Sequence, residues 1–286
     1  MSYKMQRGFH AAFAHSVCFC ASILVQFLCL TNSYRSHFNR TTVKELEHLG
    51  DLYYESQKDE RSFKIAADFK RIAPNYPCVM GVIPLGFASP DSISDGHKFG
   101  CGIHAIQGQP IVYSFGSNQQ QDFELAFLQL RPEAHIFIFE LDPKQLPHEN
   151  LRHDRIHYNP VGLGYANTSN GYVYKSLQEL MVSNNHKYID VLKMDIEGGE
   201  FSFLRTEGAA MLPRVGQYLV ELHVHTEYAQ HNYPNQDAVT FLVEAEKLGL
   251  RLFHQEVNVH APLWGIELSM IQQSWISWDE SKHLLS

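Results

Sequence analysis

The sequence predicts a doubly wound, mostly parallel α/β sheet carried behind an N-terminal transmembrane anchor. Three observations lead there. Strand-like apolar runs alternate with helix-spaced segments from residue 111 onward. One of those strands runs straight into Asp195-Ile-Glu197-Gly-Gly-Glu200. Residues 9–30 form an apolar stretch behind Lys4 and Arg7. Strands of a parallel sheet are buried on both faces and read as apolar runs, and ligands sit outside their carboxyl ends. Carboxylates placed there mark a position for chemistry.

The 286-residue chain is 44% hydrophobic, enough for one well-buried domain and an appendage. A net charge of −8 offers no electrostatic grip on nucleic acid, so no nucleic-acid partner is expected. Residues 1–8 read as a cytoplasmic basic segment, 9–30 as a signal anchor and transmembrane helix, and 31–42 as a polar stem. Residues 11–30 would span ~30 Å as a helix, about the thickness of a bilayer core. His15, Ser16 and Gln26 interrupt the run. The expectation is a single-pass membrane protein of the secretory pathway facing the ER or Golgi lumen, or a secreted one if the segment is cleaved. Sequons at Asn39 and Asn167 agree with a glycoprotein. Cys18, Cys20 and Cys29 lie in the apolar span, which leaves Cys78 and Cys101 for the globular part. In an oxidising lumen these two either pair or stay as buried thiols.

Residues 43–108 read as a helical and irregular cover. Helical spacing runs over 43–54 and 63–72, and 74–108 is rich in Gly, Pro, Ser and Asp. Residues 109–286 form the main domain. Its first strand, Ile111–Phe115, breaks at Gly116-Ser117-Asn118. Asp122 is placed to cap a helix with Phe123, Ala126, Phe127 and Leu130 on its apolar face. A second strand, His135–Phe139, ends at Glu140-Leu-Asp142-Pro143. A strand over 156–162, a helix over 174–182, and strands Ile189–Met194 and 218–224 follow. Asn235 caps the next helix, which turns Ala238, Phe241, Leu242, Ala245 and Leu248 inward and stops at Gly249. Strands over 250–256 and 266–271 close the chain with no helix between them, which predicts a reversed edge strand.

The turn after the first strand occupies the place of a nucleotide-binding loop, where backbone N–H groups face a ligand at a helix N-terminus. It holds one glycine, so it is neither a dinucleotide fingerprint nor a phosphate-cradling loop. Such a loop suits an amino-acid-plus-nucleoside ligand. At the end of the second strand either Glu140 or Asp142 can accept the hydroxyls of a ribose, with Glu140 preferred as the first polar residue off the strand.

With these pieces in order, residues 95–272 resemble the FkbM-like S-adenosylmethionine-dependent methyltransferases. The most specific element is Asp190-Val-Leu-Lys-Met-Asp195-Ile-Glu197-Gly-Gly-Glu200. Ser114-Phe-Gly116-Ser-Asn118, Glu221-Leu-His223 and Glu256-Val-Asn258 with Ile266-Glu-Leu support it. The segment from Asp95-Gly96 to Cys101 is similar to that of the membrane-anchored, methyltransferase-like subfamily. The resemblance implies a Rossmann-like class I fold, S-adenosyl-L-methionine as cofactor, and contacts to it from Gly116, Ser117, Asn118, Glu140 and Asp142. One departure stands out: Tyr113 occupies a position that is acidic in many methyltransferases.

On that resemblance the chemistry is methyl transfer to an acceptor that must be aligned and, if a hydroxyl, deprotonated. Asp195 can take or orient that proton, and His223, with an ordinary pKa near neutrality, is a candidate general base. Asp195, Glu221 and His223 could also ligate a divalent metal, but no spacing requires one and none is assigned. Trp264 and Trp275 could stack on an acceptor, although such residues are more often core. The expected activity is O-methylation of a glycan or another hydroxylated small molecule. The alternative is a non-catalytic scaffold that keeps the fold, supported by Tyr113. A nicotinamide oxidoreductase is disfavoured by the missing glycine fingerprint.

Overall fold

A computed structural model describes residues 72–86, 96–164, 171–223, 238–257 and 265–275. The predicted anchor and stem, the helical segment over 43–54 and that over 63–72 apart from Ile72, the two sequons, the Asn235 cap and Trp264 lie outside the described residues. Among the described residues no helix is long and apolar enough to cross a membrane.

The cover is more regular than its composition suggests. Strands β1 (Val82–Leu85) and β2 (Lys98–Cys101) pair antiparallel. Cys78 and Cys101 form a disulfide, which settles the open cysteine question in favour of pairing.

The main domain then runs β3 (Ile111–Phe115), α1 (Asp122–Leu130), β4 (His135–Phe139), β5 (Ile156–Asn159), β6 (Gly162–Leu163), β7 (Tyr174–Lys175), α2 (Leu177–Ser183), β8 (Ile189–Met194), α3 (Glu200–Phe203), β9 (Val215–His223), α4 (Ala238–Lys247), β10 (Leu250–Val257) and β11 (Gly265–Gln272). Seven strands make one sheet in the order β10-β11-β9-β8-β3-β4-β5. Strands β3, β4, β5, β8 and β9 pair parallel, and β11 pairs antiparallel with both β9 and β10. The reversed strand expected at the edge is thus inserted one place inside it, and β10 is the edge. Pairing on both sides buries all eight residues of β11.

The two faces of the sheet carry separate cores, as the period of two demands. Tyr113, Phe115, Phe139, Leu192 and Met194 point to the layer of α2, α3 and α4. Val112, Ile136, Ile138, Val191 and Leu219 point to α1 and the β1–β2 hairpin. Each fully buried side chain of this size contributes ~1.5–3 kcal/mol, so the double layer fixes the sheet firmly.

Local chemistry explains three departures from the expected boundaries. Helix α2 begins at Leu177 and not at 174, because Ser176 and Glu179 form a capping box there while Tyr174 and Lys175 pair with β6. Asp122 is the first residue of α1 and makes no cap bond; Gln121 is the cap position, and Asp122 places its charge in the first turn. Strand β9 starts at Val215, three residues early, because Val215 already pairs with Ile189 of β8.

Candidate active site

Gly116, Glu140, Asp195 and Glu221 stand level with one another at the carboxyl edge of the sheet. Phe115 pairs with Phe139 and with Met194, and Met194 with Val220, so the next residue of each strand falls into one row. Backbone bonds carry the row past the strand ends: Gly116 N–H donates to Phe139 O at 3.0 Å, and Asp195 N–H to Phe115 O at 3.0 Å. On the other side Glu221 pairs with Glu267, and Glu267 with Glu256. The result is an acidic row, Glu256-Glu267-Glu221-Asp195, that continues through Gly116 to Glu140. Like charges on neighbouring strands repel, so the row requires cations.

Gly116 has φ +78, and a Cβ on it would lie 1.7 Å from the carbonyl oxygen of Asp195. The close approach that needs glycine is therefore first of all one between two turns of the chain itself. Beyond it, Asn118 and Gln119 also adopt left-handed backbone, with φ 44 and 66. Glu140 holds this loop. Its Oε2 accepts the N–H of Ser117 at 2.9 Å and of Asn118 at 3.2 Å. The Glu140 side chain remains half-buried at the loop. Asp142 is set apart: its carboxylate accepts the Lys144 N–H at 3.0 Å and caps a short turn.

The cations come largely from the cover. Lys98 of β2 is 1% exposed. Its Nζ lies 2.8 Å from Glu267 Oε1 and 3.8 Å from both Asp195 Oδ2 and Glu221 Oε2. The hairpin is docked by Gln217 of β9, whose side chain bonds both the N–H and the carbonyl of Cys101, at 2.8 and 2.6 Å. Beside Lys98, His97 hydrogen-bonds Glu256, and the rings of Phe99 and His254 pack at a tilt with centroids 3.8 Å apart. From the sheet itself, Lys193 donates to the carbonyl of Gly116 at 2.7 Å.

His223 closes the cluster. Its Nδ1 lies 3.1 Å from Glu200 Oε1, an oxygen that also accepts the N–H of Ile196 at 2.9 Å. Burial opposes a charge on His223, but the hydrogen bond and charge of Glu200, with Asp195 and Glu221, push its pKa up to about 10. Burial would raise the Asp195 carboxyl; Lys98, Lys193 and His223 together hold it below the ordinary carboxylate range. Burial and then Asp195 and Glu267 push Glu221 up to about 9. The neighbours thus bias His223 and Glu221 toward their protonated forms and Asp195 toward its ionised one. The reading of His223 as a general base assumed an ordinary pKa near neutrality, and the neighbours of this imidazole push its pKa up.

Tyr113 points away from this edge into the layer beneath α2. Its hydroxyl lies 2.8 Å from His186 Nδ1 and accepts from Asn184 Nδ2 at 3.0 Å, and burial raises its pKa to about 12. Packing accounts for the tyrosine. An acid nearby comes instead from α1: buried Glu124 accepts the hydroxyl of Ser114. Trp275 is a core residue against β9.

The structure brings together Gly116, Ser117, Asn118, Glu140, Asp195 and His223, and leaves Asp142 as a cap. Sequence reasoning missed Lys98 and gave Glu200 and Glu267, both within quoted motifs, no role. The signal for Glu267 was available: it is the one charged residue of a mostly apolar strand.

A family model described as a methyltransferase domain matches residues 31–272. No curated protein matches the chain by sequence. Similar solved structures include the Methanococcus jannaschii fibrillarin pre-rRNA processing protein, at 11% identity and TM-score 0.41, over 58% of this chain and 67% of that one. TrmK of M. capricolum in complex with S-adenosyl-homocysteine is 7% identical with TM-score 0.37, over 59% and 65%. The N-methyltransferase NodS of Bradyrhizobium japonicum is 10% identical with TM-score 0.36, over 57% and 85%. The chain belongs to the family of that methyltransferase domain, with S-adenosylmethionine as its cofactor.

Proposed function

We propose that the protein is a membrane-anchored, FkbM-like O-methyltransferase of the secretory pathway that acts on a glycan or another hydroxylated acceptor. The observation that carries the reading is the row itself: an ionised Asp195, 19% exposed, stands one strand from Gly116 and two from Glu140. The apolar stretch at 9–30 and the Cys78–Cys101 disulfide, a bond of oxidising compartments, support the location.

The residues present suit the cofactor. Glu140 offers a half-buried carboxylate to the ribose hydroxyls beside the amides of Ser117 and Asn118. A narrow cleft lined by Gly96, Ser117, Gln120, Asp122, Glu124 and Lys193 opens at the start of α1. When bound, S-adenosylmethionine supplies an electrophilic methyl group. Asp195 then hydrogen-bonds the acceptor hydroxyl, orients its oxygen and takes its proton.

Transfer of labelled methyl from S-adenosylmethionine to a panel of glycans and hydroxylated small molecules tests the reading. Turnover by the full chain that falls ~100-fold or more in Asp195→Asn, with cofactor binding kept, is the expected outcome. Cofactor binding without transfer to any acceptor would favour the scaffold.

A further inference from the structure

His223 Nε2 is surrounded by carboxylate oxygens at distances too long for hydrogen bonds: Glu197 Oε2 at 3.6 Å, Glu221 Oε1 at 3.7 Å and Asp195 Oδ1 at 3.9 Å. Its other nitrogen is fixed by Glu200, the arrangement in which a carboxylate sets the tautomer and direction of a metal-binding imidazole. Glu200 is fully buried, and its Oε2 has no hydrogen-bond partner among the described residues. Asp195 and Glu221 divide their oxygens between two positions: Oδ2 and Oε2 face Lys98, while Oδ1 and Oε1 face Nε2.

The first of those positions holds the Lys98 ammonium, and the second faces His223 Nε2. Asp195, Glu197, Glu200, Glu221 and Glu267 gather around Lys98 and one imidazole. Ligand atoms of Asp195, Glu197 and His223 lie within 4.8 Å of one another. An ion with bonds of ~2.1 Å spaces its ligands ~3.0–3.4 Å apart, so small side-chain shifts complete the set.

We propose that Asp195, Glu197 and His223 hold a divalent cation at the carboxyl edge of β8 and β9. One imidazole and two carboxylates are a mixed donor set that suits Mn²⁺ or Zn²⁺ better than Ca²⁺. Glu197 is 77% exposed in its side chain, so the ion's remaining positions open outward. The inference deepens the methyltransferase reading of this site, where the ion would receive the acceptor hydroxyl beside Asp195, but binding itself is read without turnover.

The test is calorimetric titration of the chelator-treated full chain with MnCl₂ and with ZnCl₂, alongside Mn²⁺ electron paramagnetic resonance. One ion binds per chain. Glu197→Gln and His223→Ala each weaken binding by roughly tenfold or more, and Glu149→Gln, on a distant exposed turn, leaves it unchanged. Glu197→Gln changes an exposed side chain and keeps the fold, so it decides the matter if His223→Ala does not fold. A folded chain that binds neither ion below about 1 mM, or equal binding in Glu197→Gln, overturns the site. S-adenosylmethionine titrated into the same samples separates the two claims: cofactor binding without cation binding overturns the ion site alone.

Discussion

Oε1 of Glu200 lies 3.1 Å from Nδ1 of His223, joining the turn after β8 to the end of β9 through one buried carboxylate. The same oxygen accepts the Ile196 N–H, so the turn that presents Asp195 and the ring that faces it share a support. Removing one partner of a buried charged pair leaves the other uncompensated. Glu200→Ala is therefore expected to lower unfolding stability by ~3 kcal/mol or more. Glu200→Gln keeps an acceptor for the amide and loses less. Urea denaturation midpoints at constant slope check both.

Lys98 reaches the carboxyl edge from outside the sheet, and its charge is the largest one holding the Asp195 carboxyl low. Lys98→Met should raise the Asp195 pKa. The acid limb of the pH–rate profile then moves to higher pH, because a higher pH is needed to ionise the proton acceptor. An unmoved limb with lowered turnover would mean that Lys98 acts only through packing.

His186 gives the fold a sensitivity to acid away from the site. Burial first, then His135 and His157, lower its pKa from 6.5 to about 4. A depressed histidine binds protons in the unfolded chain before it does in the fold, so stability is lost as pH falls from about 6.5 toward 4. Thermal unfolding midpoints at pH 7 and pH 5 should show that loss. His186→Gln should reduce the difference, leaving the smaller share due to His157, which is lowered in the same direction.

The Cys78–Cys101 disulfide closes a loop with a sequence separation of 23 residues around the hairpin that carries Lys98. Loop-closure entropy puts its contribution at about 3 kcal/mol. Cys78→Ser is expected to lower the thermal midpoint and, by loosening β2, to reduce turnover beyond the loss seen in folded population. Equal turnover per folded molecule would show that Gln217 alone suffices to dock the hairpin.

Much of the sheet was legible because each strand's pattern was local. Ile111–Phe115, His135–Phe139 and Ile189–Met194 announce themselves as apolar runs with a polar stop. Glu140 and Asp195 were legible for the same reason: each is the first polar residue off such a run. The place of β11 was not, since strand order depends on which edge can bury Ile266, Leu268 and Met270, and that is a long-range choice. Lys98 was hidden in a stretch whose glycines and prolines read as loop, and only its pairing with Val82–Leu85 makes it a strand. The charge state of His223 was likewise out of reach, because an imidazole's pKa is set by neighbours from three separate elements.

Calorimetric titration of S-adenosylmethionine and S-adenosylhomocysteine into the full chain, its Glu140→Ala variant and its Asp142→Ala variant tests the central claim most directly. The row across the carboxyl edge predicts binding by the native chain, a loss of roughly tenfold or more in Glu140→Ala, and little change in Asp142→Ala. Absence of binding by the folded native chain, or equal affinity in Glu140→Ala, would contradict it.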